Sequence, residues 1–403
     1  MPHISRNHTY LTGIYLGINA IKDAFLLMDG PDCIYKKVEL FEKNHDMFSN
    51  IFSEEGHHRI SSTMVDVNQI IKDRNKQIEN MLLQIGNYEK CKVLFLSCMP
   101  MAKMVGVDYN MIISKVRENS NAPIINIRYK SLHNDWLDGY AEMLRALAED
   151  MPLKKKKRKN KIGIVGYLYD RNEGDNLGNI EELKRILSGI GLDLCSTWLC
   201  GSGYNNLKEI EQAEYIISLP YGRKAANIIS KKSGANVIEA EVPIGISNTS
   251  HFIKNIAKTT GKSNEAQKFI EKELEYLTPL FSWTVPTYLR NLKISVVADP
   301  YMAKALVGAL EELDAEIEEI ICYSKLRDMG LNNYNIYFEG NAVQKKNAEL
   351  CVGNSYLNYE YPDTKYIELG FPSFSTHYFY KMPYMGYKGI IHLVNKIINT
   401  KLK

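Results

Sequence analysis

A chain of 403 residues that is 45% hydrophobic and 24% charged has the composition of a folded protein and is too long for one ordinary core, so wholesale disorder is excluded and two or three domains are expected. A net charge of only +3 calls for no nucleic-acid partner. No uninterrupted apolar stretch reaches the roughly 20 residues that a bilayer span needs, and the start "MPHISRNHTY" lacks the apolar segment of a signal peptide, so the expectation is a cytoplasmic protein with no membrane association. The seven cysteines (Cys33, Cys91, Cys98, Cys195, Cys200, Cys322, Cys351) are odd in number and scattered. That pattern suits free thiols or metal ligands better than a disulfide framework.

Along the chain, Ala24 to Met28 reads as a short buried strand, Gly30-Pro31 as a turn and Ile34 to Phe41 as the opening of a helix. Cys33 stands at that junction, near a helix N-terminus whose partial positive charge favours thiolate; a small buried hydrophobe explains a lone cysteine equally well. The run "KVLFLSCMPMAKMVGVDYNMI" (92–112) ends a second buried strand at Cys98 and enters a loop carrying Gly106 and Asp108. Two thiols leaving strands in one domain can share a crevice, although two cysteines alone do not define a site. The basic run "LKKKKRKNK" (153–161) reads as a solvated linker rather than a nucleic-acid patch, because it falls where one α/β unit ends and "KIGIVGYL" opens the next.

Further strands follow at "EYIISL" (214–219), "ANVIEA" (235–240), "LKISVVA" (292–298), "EIEEIICY" (316–323) and "AELCVG" (348–353), with helical patterns such as 179–191 and 300–314 between them. This alternation predicts parallel sheets with crossover helices, in which ligands gather beyond the carboxyl ends of the strands. The pattern restarts near 161 and near 291, giving three Rossmann-like α/β domains over 1–155, 156–290 and 291–403, the last closing on a C-terminal helix. Cys195, Cys200, Cys322 and Cys351 fall on strand patterns or their ends and read as packed; Cys91 is unassigned.

No Walker-type phosphate loop is present, so the chain is not expected to hydrolyse ATP. "CGSGYNN" (200–206) fails the G-x-G-x-x-G spacing and reads as a turn. H-E-x-x-H, G-x-S-x-G and C-x-x-C are absent.

Five segments in order resemble the nitrogenase component 1 family, which includes the catalytic subunits of light-independent protochlorophyllide reductase, chlorophyllide reductase and the F430 reductive cyclase. "DGPDC" resembles the family's H-G-P-x-G-C segment, and "ISSTMVDVNQII" (60–71) the strand ending in Thr that follows it. "SCMPMAKMVGVD" resembles C-x-x-x-x-I-G-D-D, and "VPIGISNTSHFIKNIAKTTGK" (242–262) the P-x-G-x-x-x-T-x-x-F run. "ELGFPSFSTHYFYKMPYMGYKGIIHLVNKI" (368–397) resembles the family's G-F-P to P-x-x-G-Y-x-G ending.

The resemblance implies that Cys33 and Cys98 ligate iron at a subunit interface and that a separate ATP-hydrolysing iron protein delivers electrons there. It also marks departures. Nitrogenase subunits carry a further cysteine about twenty-five residues before H-G-P-x-G-C, where this chain has His8, Thr9 and Tyr10. Two copies therefore offer four cysteines, a count that suits one [4Fe–4S] cluster across a homodimer; His8 is expected to be a solvent-exposed residue rather than a ligand. The cysteine that anchors the nitrogenase cofactor is missing from "IISLPYGRKAAN" (216–227), which makes dinitrogen reduction an unsuitable assignment and points to the tetrapyrrole-reducing branch. A small-molecule substrate is expected between the domains, near Arg223 and His251 or the aromatic 374–387 segment. His377 is a candidate proton donor and Arg223 a candidate carboxylate partner. His57 and His58 read as a solvated loop. The rival readings are a scaffold for metallocofactor assembly, one subunit of a heterodimer with a paralogous chain, and an α/β protein without a cluster.

Overall fold

The computed structural model describes residues 8–39, 41–51, 58–66, 72–129, 133–338 and 347–402. Three sheets, each wholly parallel, follow one another along the chain. The first has the order β2-β1-β3-β4, built from β1 (Ala24–Asp29), β2 (Ile60–Ser62), β3 (Val93–Cys98) and β4 (Ile124–Asn126). Around it lie α1 (Tyr10–Asn19), α2 (Cys33–Glu39), α3 (Asn75–Gly86), α4 (Pro100–Met104), α5 (Tyr109–Val116) and α6 (Trp136–Asp150). Every residue of β1 and β3 is buried, as an unbroken apolar run in a sheet covered on both faces requires.

The second sheet, β6-β5-β7-β8, uses β5 (Lys161–Val165), β6 (Asp193–Thr197), β7 (Tyr215–Ser218) and β8 (Asn236–Glu239), with α7 (Gly174–Gly189), α8 (Tyr204–Leu207), α9 (Arg223–Ser233), α10 (Ile246–Thr260) and α11 (Ser263–Tyr288). The third, β11-β10-β9-β12-β13, uses β9 (Lys293–Val297), β10 (Glu316–Cys322), β11 (Ile336–Phe338), β12 (Leu350–Gly353) and β13 (Lys365–Glu368), with α12 (Pro300–Glu311), α13 (Leu357–Glu360) and α14 (Gly386–Leu402). The predicted strand runs thus become strands; of the segment 200–206, read as a turn, residues 200–203 are a bend with Gly201 at φ +76°, and Tyr204 already opens α8. No helix among the described residues is long and apolar enough to cross a membrane.

Two features set the position of the functional elements. Helix α1 is buried on all sides, as its mostly apolar sequence requires, and crosses α6 at close range. A Cβ on Gly13 would lie 1.8 Å from the carbonyl oxygen of Trp136, and one on Gly139 would lie 1.9 Å from that of Tyr10. Both obstacles are backbone, so neither side can yield without separating the helices. Gly13→Ala is therefore expected to cost about 1–3 kcal/mol or more through overpacking, read as a lower urea midpoint at unchanged slope.

The second feature is an arm after β13 that leaves the third sheet and lies on α7. Gly174 donates to the Tyr378 carbonyl (2.7 Å) and its own carbonyl accepts the Met382 N–H (3.0 Å). Asn179 Oδ1 accepts the N–H groups of Tyr384 (2.9 Å) and Met385 (3.0 Å).

Candidate functional site

At the carboxyl edge of the first sheet, β1 ends in Asp29 and β3 in Cys98, and these two residues are paired in register. The chain turns at Gly30-Pro31 and starts α2 at Cys33. The turn packs so closely on the neighbouring strand end that a Cβ on Gly30 would lie 2.7 Å from the Met99 Cγ. Cys98 thus ends its strand at this edge, and Cys33 follows the end of the adjacent strand by four residues, across the turn. Cys33 is exposed and Cys98 buried.

Asp29, fully buried, organises this edge. It pairs with Arg74, whose Nη2 is 3.0 Å from Oδ2. It also accepts hydrogen bonds from Thr63 Oγ1 (2.8 Å) and Tyr109 Oη (2.6 Å), and Thr63 in turn accepts the Gly30 N–H (3.0 Å). One carboxylate therefore ties β1, the end of β2, α3 and α5 to the turn before Cys33. Cys98 lines a cavity of about 260 Å³ with Lys103, Tyr109, Asn126, Arg128 and Tyr129. Burial pushes its thiol up to about 11, against the opposing hydrogen bond from Tyr109. At neutral pH it therefore holds its proton.

Among the described residues no group of three or more His, Cys, Asp and Glu side chains is placed to hold a metal ion. One chain thus offers two soft thiols and no complete set. Two thiols on one edge, one of them at the surface, fit half of a four-cysteine cluster site completed from outside the chain. The remaining cysteines lie elsewhere. Cys91 precedes β3 at its opposite end, and burial pushes its thiol up to about 12. Cys195 donates to the Ile162 carbonyl (3.3 Å) and Cys200 to Ser202 Oγ (3.5 Å), while Cys322 and Cys351 are buried in β10 and β12. These four read as packed in the sequence, and all four sit in or against the strands.

His8 overturns the expectation of a solvent-exposed residue. It is 7% exposed, with Nε2 2.6 Å from Tyr356 Oη and its ring 4.9 Å from that of Phe371. Burial, reinforced by the charge of Lys37, lowers its pKa to about 3, so it is neutral. The reason is a contact across nearly the whole chain: His8 lies against the third α/β unit, where Tyr356 and Phe371 enclose the imidazole. His58 is exposed, as expected; His57 lies outside the described residues.

The region where the three sheets meet is filled. His45 accepts the Ser373 N–H at Nδ1 (2.9 Å), so Nε2 carries the proton and donates to the Asp170 carbonyl (3.2 Å). Burial and the neighbouring Arg171 hold the imidazole well below its ordinary pKa. Arg171, wholly buried, donates from Nη2 to Asp175 Oδ2 (2.6 Å) and from Nη1 to the Thr376 carbonyl (2.9 Å). Glu173 accepts His377 Nδ1 (2.8 Å), the Met47 N–H (3.0 Å) and the Tyr378 N–H (2.8 Å). A void between the 374–387 segment and α14, bounded by Asp175, Tyr378, Tyr384 and Lys396, measures about 20 Å³, room for a single water.

Of the other sequence candidates, Arg223 donates to the Ser218 carbonyl (3.0 Å) and Glu241 (2.8 Å) and pairs with Glu239 (3.3 Å). His251 is exposed on α10. No hydrogen bond or ion pair among the described residues links Arg223, His251 and His377 to one another. Asp29, Arg74 and Tyr109 were not singled out in the sequence; the only available signal was Asp29 inside "DGPDC".

The sequence and the fold both have counterparts. Residues 11–402 match the family described as "Nitrogenase component 1 type Oxidoreductase". The chain is 23% identical to the nitrogenase molybdenum-iron protein beta chain of Acidithiobacillus ferridurans over 390 residues, covering 84% of this chain and 74% of that one. It is 22% identical to the corresponding beta chain of a Nostoc species, covering 85% and 74%. The solved "Nitrogenase Cp1 at pH 6.5" superposes with a TM-score of 0.82 at 18% identity, covering all of this chain and 93% of the other.

Proposed function

Because the chain belongs to the nitrogenase component 1-type oxidoreductase family, we propose that it is the electron-accepting, catalytic component of a two-component reductase, with Cys33 and Cys98 holding a [4Fe–4S] cluster shared with a second copy of the chain. The observation that carries this reading is the common sheet edge: Cys98 is the cross-strand partner of Asp29, Cys33 follows Asp29 by one turn, and Cys33 is exposed. A cluster bound there supplies one-electron chemistry at low potential.

The chain's own residues set its surroundings. Asp29, Arg74 and Thr63 fix the strand ends from which the thiols leave, and Tyr109 donates to Asp29 beside Cys98. An ATP-hydrolysing iron protein is the proposed electron donor, docking on this edge by family analogy. The substrate is an unsaturated small molecule. A cyclic tetrapyrrole is the first candidate, because the chain lacks both the third cysteine and the cofactor cysteine. The cavities beside Cys98, about 260 and 220 Å³, fall below the roughly 300 Å³ at which pockets for drug-sized ligands begin, so a ring of that size would lie on the face between two subunits. For protons, His377 suits the role best of the three sequence candidates: Glu173 orients its Nδ1 and leaves Nε2 available, whereas the Arg223 guanidinium is already committed to two glutamates.

The test is iron content and reduced-state EPR of anaerobically purified wild type beside Cys33→Ser and Cys98→Ser. About four irons per two chains, with the signal lost in both variants, is the expected result. A wild type that stays iron-free after cluster reconstitution overturns the electron-relay reading.

A further inference from the structure

A second cavity, about 220 Å³, lies where the first and third sheets meet. It is lined by His8, Tyr10, Leu11, Lys37, Met99, Pro100, Tyr129, Asp135 and Lys325, among others. It sits beyond the carboxyl ends of β3 and β4, the side of a parallel sheet on which ligands gather. Met99 directly follows Cys98, and Tyr129 lines both this cavity and the one at the thiol. The volume corresponds to roughly seven waters at about 30 Å³ each.

Its charge is unbalanced. The acid in the wall, Asp135, is neutralised from behind: Arg327 grips both carboxylate oxygens, Nη2 donating to Oδ1 at 2.7 Å, and the N–H groups of Lys325 (3.0 Å) and Asp138 (3.1 Å) donate to it as well. Arg327 thereby holds this carboxyl below the ordinary range although burial alone would raise it. The two lysines are less well compensated, Lys325 having only a carboxylate that it shares with Arg327. Lys37 enters no ion pair among the described residues, and Lys325 Nζ stands 4.0 Å from Asp138. His8, uncharged, adds a buried polar edge fixed by Tyr356, while Leu11, Met99 and Pro100 supply apolar surface.

We propose that this cavity is a binding site for a small, flat carboxylate, its anion held by Lys37 and Lys325 and its apolar body lying against Leu11, Met99 and Pro100. The inference goes beyond the proposed function, since this site is separate from the face on which a tetrapyrrole would lie, and occupancy of the cavity needs no electrons. A carboxylate fits better than a bare anion because the cations stand beside an apolar wall, where a free phosphate would lose hydration without a partner. It fits better than a neutral molecule because among the described residues the Lys37 ammonium has no counter-charge and that of Lys325 has only Asp138, which Arg327 also holds.

The test is calorimetric titration of the anaerobically purified protein with sodium benzoate, benzyl alcohol and inorganic phosphate, repeated on Lys37→Met/Lys325→Met and on Cys33→Ser. Both lysines are partly exposed, so the double variant is expected to keep the wild-type melting temperature. Benzoate should bind at least about tenfold more tightly than either benzyl alcohol or phosphate, and the double variant should lose at least about tenfold in benzoate affinity, the scale of a charge-assisted contact. Binding should persist in Cys33→Ser, so that absence of a cluster and absence of a carboxylate site are read separately. No benzoate binding at millimolar concentration, equal binding of the alcohol or of phosphate, or an affinity unchanged in the double variant each overturns the proposal.

Discussion

Arg74→Leu is expected to destabilise the protein by about 3–5 kcal/mol and to lower its iron content at the same time. The reason is the location of its partner. Asp29 is fully buried and Arg74 nearly so, and removing one member of a buried ion pair leaves an uncompensated charge in a medium that solvates it poorly. The hydroxyls of Thr63 and Tyr109 remain as donors, but two neutral hydrogen bonds do not replace a guanidinium. Arg74→Lys should recover only part of the loss, since an ammonium cannot address both carboxylate oxygens in one plane. The double variant Arg74→Leu/Asp29→Leu should recover most of the stability, because no charge is then stranded. Iron separates the two roles: the double variant still lacks the carboxylate that ties the β1 turn to β2, α3 and α5, so its iron content should stay below wild type while its urea midpoint returns. Denaturation monitored by far-UV circular dichroism, with iron assayed on the same preparations, checks both.

The readable and the unreadable parts of this chain divide on sequence separation. The expected strand at Ala24 to Met28 became β1, one residue longer, and "KVLFLS" became β3 shifted by one residue, because an apolar run bounded by turn residues reports its own burial. For the same reason Cys98 is legible as a strand end and Cys33 as the residue that opens a helix after the Gly30-Pro31 turn. His8 was read as exposed because nothing near it in sequence announces Tyr356 and Phe371, which enclose it from the other end of the chain. Nothing near His45 in the sequence marks it, yet it joins the loop after α2 to Asp170 and Ser373. The arm from Ser373 to Met385 belongs by sequence to the third α/β unit and packs on α7 of the second. Its ties to Gly174, Glu173 and Asn179 run mostly through its own backbone N–H and carbonyl groups, which carry no residue-specific signal; the imidazole of His377 on Glu173 is the exception. "YDRNEGDN" (169–176) did hold one usable clue: so many charges immediately after a buried strand fit poorly with a solvated loop that the chain must cover, and the structure buries Arg171, Glu173 and Asp175 together.

That buried group leads to a second large effect, and to one that depends on pH. Arg171→Met is expected to cost about 3–5 kcal/mol at pH 8, because Asp175 loses its bidentate partner and Asp170 loses the one cation that opposes burial. Burial and the neighbouring Asp175 already raise Asp170 to about 7, with Arg171 acting against them; without Arg171 the native state holds its protons still more tightly. A carboxyl whose folded pKa lies above its unfolded value near 3.9 binds more protons folded than unfolded, so its contribution to stability rises as pH falls through the folded pKa and levels off below the unfolded one. The stability gap between wild type and Arg171→Met should therefore be widest at pH 8 and shrink steadily toward pH 5.5, measured as the difference between the two urea-unfolding free energies at each pH. Subtracting the two proteins removes groups common to both, such as His8, whose folded pKa of about 3 makes each less stable as pH falls below the unfolded value near 6.5. A gap that is constant over this range would mean that the carboxylates find solvent or another cation when Arg171 is removed, and that the junction of the three sheets is not held together by buried charge.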